Sequence, residues 1–162
     1  MFYFIIGLLL FVIDQLTKVI ADSNMVLGEP IPIIKGLFNL TLVYNKGAAF
    51  GMFSKLHDPW RQVVLWGVSL IGLVVIFFVF RKEVKADKWG TYALTLIVSG
   101  AFGNLIDRFR YDYVVDFLDF YVGSYHWPAF NIADSCISIG IVMLFFRILI
   151  NEQKEKKAKK AN

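Results

Sequence analysis

Phe130-Asn131-Ile132-Ala133-Asp134-Ser135-Cys136-Ile137-Ser138 opens an apolar run that continues to Ile150. A helix crosses a bilayer in about 20 predominantly apolar residues, so this run is a candidate span over 129–150. Asp134 lies about one turn inside it. An ionisable group there is unfavourable in lipid and needs a structural or chemical reason. Asn131, Asp134, Ser135 and Ser138 share one helical stripe by their spacing, and the stripe should face protein or a water-filled cavity. Upstream, Val114-Val115-Asp116-Phe117 sets a second carboxylate among apolar and aromatic residues. Asp116 and Asp134 are the candidate catalytic pair, and the rest of the chain reads as their scaffold.

Three more apolar runs support the membrane reading. They cover about 2–20, 60–80 and 89–106. Of 162 residues, 57% are hydrophobic and 17% aromatic, against about 45–50% apolar in soluble domains. The chain is therefore expected to be one integral membrane domain over 1–162, with about four spans and a basic, solvated tail over 151–162. The first run has no basic leader and no small-residue cleavage site, so it is expected to stay as a span. The net charge of +4 fits basic cytoplasmic flanks better than nucleic-acid binding. Cys136 is the single cysteine, which excludes an internal disulfide framework; in an apolar helix it reads as a small buried side chain.

Orientation follows from the basic residues. The 81–88 loop carries four Lys or Arg and the tail five lysines, so both are placed in the cytoplasm, with both termini. The other two connections then face outward. They hold a short strand over 37–45, where Phe38, Leu40, Leu42 and Tyr44 alternate with Asn39, Thr41 and Asn45, Val43 being the exception. The small residues of Asn45-Lys46-Gly47-Ala48-Ala49-Phe50 permit close approach of a ligand to the backbone. In the third span Gly100, Gly103, Asn104 and Asp107 share a helix face, and Ser99 with Gly103 forms a small-residue pair suited to close packing. Asp14 and Lys18 lie one turn apart on the first span and are expected to pair. Polar groups from several segments, Asn45, Asn104, Arg108, Asp116 and Asp134, should thus meet near the outer face.

Two carboxylates that share a site do not ionise independently, and together they can hold one proton near neutral pH. One then activates water and the other protonates a substrate carbonyl, which is amide hydrolysis without an acyl-enzyme. Other chemistries have less support. His57 and His126 are isolated in the sequence and no H-E-x-x-H occurs, so no metal site is expected. Ser124 or Ser135 with His126 lacks a nucleophile-turn motif. Asp119, three residues from Asp116, is the nearest alternative carboxylate, on a segment expected to be exposed. A transporter or proton channel also needs intramembrane Asp and Arg, and an assembly subunit is a third class; the residues alone leave both open.

Five motifs in order resemble the bacterial lipoprotein signal peptidases (signal peptidase II). They are Asp14-Gln15-Leu16-Thr17-Lys18, Asn45-Lys46-Gly47-Ala48-Ala49-Phe50, Gly103-Asn104-Leu105-Ile106-Asp107-Arg108, Val114-Val115-Asp116-Phe117 and Phe130-Asn131-Ile132-Ala133-Asp134-Ser135. The resemblance covers nearly the whole chain. It implies an intramembrane aspartyl protease with a four-transmembrane-helix bundle, an extracytoplasmic β-sheet cradle and a short flap helix. It makes Asp116 and Asp134 the dyad. It places Asn45, Gly47, Asn104, Arg108 and Asn131 at positions that bind substrate backbone or support the dyad, and Asp14 and Lys18 at a structural or near-site pair. The implied substrate is a prolipoprotein cleaved just before its diacylglyceryl-modified cysteine. By the same resemblance, membrane lipids would surround the enzyme and globomycin-type cyclic peptides would block it; no cofactor is implied, and a monomer should suffice. The implied location is the bacterial cytoplasmic (inner) membrane.

Overall fold

The computed structural model describes residues 1–47, 57, 59–84 and 88–161. The elements run α1 (Phe2–Asn24), β1 (Pro30–Ile34), β2 (Phe38–Asn45), α2 (Trp60–Val84), α3 (Lys88–Tyr111), β3 (Val114–Val122), β4 (Tyr125–His126) and α4 (Ile132–Ala161). Among the described residues, three helices are long and apolar enough to cross a membrane: Phe2–Asn24, Lys88–Tyr111 and Ile132–Asn151. The expected second span is also helical, over Trp60–Val84. The flap helix implied by resemblance is not among the described elements; the chain at 48–56 and 58 lies outside the described residues. The basic tail expected beyond the last span is helical, because α4 continues to Ala161.

The helices pack around α3. Its small residues explain how closely its neighbours approach. A Cβ on Gly100 would sit 2.3 Å from the Ala133 carbonyl oxygen of α4, and one on Gly103 would sit 2.5 Å from Asp14 Oδ2 of α1. Larger residues at either position would push the helices apart. Ser99 Oγ donates to the Gly7 carbonyl of α1 at 2.6 Å. Between α3 and α4, Ala93, Ile97 and Leu144 form a buried hydrophobic cluster. The outer faces of α1 and α4 instead expose Leu8, Leu9, Leu16, Val19, Val142, Phe145 and Phe146. Such apolar outward faces suit lipid rather than water as their surroundings.

At one end of the bundle lies a four-stranded antiparallel sheet in the order β1-β2-β3-β4. Pro30 and Pro32 are confined to the edge strand β1, where a missing N–H donor is tolerated. The β2–β3 register slips once. Asn39 faces Asp119 and Leu40 faces Leu118, but beyond the irregularity Val43 faces Asp116 and Asn45 faces Val114. The extra residue in β2 reverses which face its later side chains occupy. That slip places Asn45 on the same face as Asp116. The break in alternation at Val43 is its trace in the sequence.

Candidate active site

Asp116 and Asp134 reach the site from two elements that are stitched together. Phe130, just before α4, bridges to Leu118 of β3, through N–H donation from Leu118 to the Phe130 carbonyl at 2.8 Å and a return bond at 3.1 Å. Asn131 follows directly and caps α4. Its Oδ1 accepts the Asp134 N–H at 2.9 Å, and Asp134 Oδ2 accepts the Asn131 N–H at 3.3 Å. This is a reciprocal capping box, with the aspartate at the third helical position. Asp134 therefore sits in the first turn of α4, at the entrance to the span. Of the expected polar stripe, Ser138 is exposed instead of facing the site.

Asn131 is fully buried and ties the two carboxylates to each other. Its Nδ2 donates to Asp116 Oδ1 at 2.7 Å, while its backbone N–H serves Asp134. Asn45 Nδ2 donates to the other Asp116 oxygen at 3.0 Å. Asn104 Nδ2 donates to Asp134 Oδ1 at 2.7 Å, and Asn131 Nδ2 also lies 3.2 Å from Asn104 Oδ1. Gly47 is held by its own N–H, which donates to Asn45 Oδ1 at 3.0 Å. Arg108 Nη2 donates to the Gly47 carbonyl at 3.1 Å. Its Nε is buried and has no hydrogen-bond partner among the described residues.

Beneath these groups lies a second polar layer. Lys18 Nζ contacts Asp14 Oδ2 at 2.9 Å and Asp107 Oδ2 at 3.0 Å. Asp14 Oδ1 accepts the Ala133 N–H at 2.8 Å, which satisfies another free donor at the α4 N-terminus. Gln15 Nε2 donates to Asp107 Oδ1 at 3.0 Å. The pair expected from sequence is present, and Lys18 is 3% exposed, so it does not snorkel to an interface. Asp107 is bound to Lys18, which leaves Arg108 to the Gly47 carbonyl.

Asp116 is 1% exposed. Burial and the negative charge of Asp134 push its carboxyl up to about 7, against donation from Asn45 and Asn131 and the charge of Lys18. Asp119 departs from expectation. It is buried rather than exposed, and His126 is not isolated, since its Nδ1 lies 2.7 Å from Asp119 Oδ1. Burial works against the Asp119 charge, yet contacts from His126, Asn39 and Thr41 outweigh it and hold the carboxyl below its ordinary value. Asn39 and Thr41 were legible as the polar positions of β2, but their shared partner was not. Among the described residues no three His, Cys, Asp or Glu side chains gather as a metal site.

A sequence profile of signal peptidase (SPase) II matches residues 6–150. The chain belongs to the signal peptidase II family. Curated relatives named "Lipoprotein signal peptidase" include one from Desulforapulum autotrophicum, 41% identical and covering 91% of each chain. One from Francisella tularensis subsp. novicida is 40% identical over 94% of each, and one from Syntrophus aciditrophicus is 44% identical over 91% of each. A solved structure described as a bacterial membrane enzyme superposes with a TM-score of 0.81 at 30% identity, covering 94% of this chain and 90% of that one. A second with the same description gives 0.78 at 31% identity, covering 91% and 92%. The signal peptidase II profile spans all five motifs, from Asp14 to Ser135.

Proposed function

We propose that the chain is an intramembrane aspartyl endopeptidase of the bacterial inner membrane. It removes signal peptides from prolipoproteins, cutting just before the diacylglyceryl-modified cysteine. Residues 1–162 act as one unit with four spans, α2 being the fourth, both termini in the cytoplasm and the dyad near the outer face. The observation that carries the reading is Asn131, one buried residue that bonds both Asp116 and Asp134. Carboxylates tied this closely share protons as a pair.

Asp134 is the base. Two donors and the positive end of α4 favour its negative charge, so it takes a proton from water as the water attacks the scissile carbonyl. Asp116, which holds a proton near neutral pH, donates it to the carbonyl oxygen. The tetrahedral diol then collapses. Asp116 recovers its proton from the diol, the proton on Asp134 passes to the amide nitrogen, and the C–N bond breaks. Arg108 Nε and Gly47 are placed to hold substrate backbone, while Asn45, Asn104 and Asn131 orient the carboxylates. A lipidated signal peptide is itself a membrane segment, so the site must open laterally to lipid.

The test is purified protein in liposomes with a diacylglyceryl-modified prolipoprotein. Cleavage before the lipidated cysteine, unaffected by EDTA and blocked by globomycin, is expected. Ion flux without cleavage would favour a transporter, and loss of cleavage with EDTA would point to a metal enzyme.

A further inference from the structure

Lys18 lies outside the dyad, yet one of its bonds leads directly to it. The ammonium is 3% exposed and has three protons to donate and nothing to accept. Two go to Asp14 and Asp107. The third goes to Asn104 Oδ1 at 2.9 Å. An asparagine amide is nearly symmetric in shape and can in principle present either its oxygen or its nitrogen to a neighbour. Beside a group that only donates, the oxygen end must face Lys18. The nitrogen end is then left for Asp134 Oδ1, 2.7 Å away. A flipped Asn104 would place its NH2 against the ammonium and its oxygen against the Asp134 carboxylate, which is repulsive at both ends.

We propose that Lys18 is a positioning residue: it fixes the amide of Asn104 so that Asn104 can only donate to Asp134. The inference rests on the dyad reading above and deepens it. The two carboxylates on Lys18 keep it in place. Asp107 is itself anchored by the Val115 N–H at 3.2 Å, one residue before Asp116, and Asp14 by the Ala133 N–H, one residue before Asp134. The ammonium is thus locked between the backbone segments that carry the dyad. A flipped Asn104 leaves Asp134 without one of its donors and misaimed toward the attacking water. Because the Lys18 ammonium is buried and reaches Asp134 through Asn104, its loss acts on turnover and spares binding.

The test is a double-mutant cycle in the cleavage assay, with Lys18→Met, Asn104→Ala and the double variant. Single-turnover conditions keep slow variants measurable. Lys18→Met should lower kcat roughly tenfold to a hundredfold with KM unchanged. In the Asn104→Ala background the same change should lower it far less, the remainder being the loss of the Lys18 charge that acts on the Asp116 carboxyl. A raised KM with unchanged kcat, or losses that multiply in the double variant, would overturn the proposal. If Lys18→Met fails to accumulate, Lys18→Met/Asp107→Asn removes a buried cation together with a buried carboxylate and takes its place. Failure of both to fold would assign Lys18 to structure alone and also overturn the proposal. Asp134→Asn runs alongside: activity there would sink the dyad itself, whereas an inactive Asp134→Asn with multiplying losses would remove only the role of Lys18.

Discussion

Asp116 and Asp119 lie three residues apart on β3 and both are buried, at 1% and 6% exposure. Their side chains leave opposite faces of the strand. On one face Asp119 meets Asn39, Thr41 and His126, and its carboxyl is held below the usual value. On the other, Asp116 has Asn45 and Asn131 but also the charge of Asp134, and its carboxyl rises to about 7. Burial does not separate the two. What differs is the company: Asp119 is hydrogen-bonded by His126, Asn39 and Thr41 and held as an anion, while Asp116 is left able to gain and lose a proton near neutral pH. Only the second condition suits acid–base catalysis.

The contrast can be broken from the Asp116 side first. Asn131→Ala removes a donor to Asp116 and the α4 cap together. Cleavage should fall roughly 10²–10⁴-fold, with a stability loss of about 1 kcal/mol from the lost cap, read by kcat and thermal unfolding. A variant with near-normal kcat would show that Asn131 does not organise the pair. Next is pH. As pH rises through about 7, Asp116 ionises and the pair loses its shared proton. The rate should decline above that point, and a flat profile across it would contradict the acid role.

Stability should show opposite pH slopes for the two aspartates. The raised value at Asp116 means the folded state holds the extra proton between about 4 and 7, so its contribution falls as pH rises across that window. The lowered value at Asp119 contributes stability above the unfolded value of about 3.9, lost as pH falls through the lower folded value. Asp119→Asn should therefore lower stability by roughly 1–3 kcal/mol at neutral pH, and the deficit should shrink in acid. Cleavage per folded enzyme should change little. A deficit independent of pH would mean that the ionised form of Asp119 is not what its neighbours stabilise.

Much of this was legible in the residues. Long apolar runs marked the helices, because lipid demands about 20 such residues whatever their order. The strand at 37–45 showed in its alternation, and Asp14 with Lys18 in its helical spacing. The face carrying Gly100, Gly103, Asn104 and Asp107 also packs inward as its periodicity implied. What stayed hidden depends on contacts between distant segments. The Asp119–His126 contact joins two strands of a hairpin, and neither residue reveals the other by spacing. The link from Lys18 to Asn104 crosses between helices far apart in sequence. The slip in β2 was visible as an irregular Val43, but its consequence for Asn45 required the register against β3. The capping role of Asp134 was missed because the span was drawn from Ala129, three residues before α4 begins.

The central claim is that Asp116 and Asp134, and not Asp119, carry the chemistry as one pair. The direct measurement is cleavage of a diacylglyceryl-modified prolipoprotein by purified Asp116→Asn, Asp134→Asn and Asp119→Asn, each verified as folded and present in the membrane. The account predicts no detectable product from the first two and near-normal turnover from the third. Retained cleavage in Asp116→Asn or Asp134→Asn, or its complete loss in folded Asp119→Asn, would contradict it.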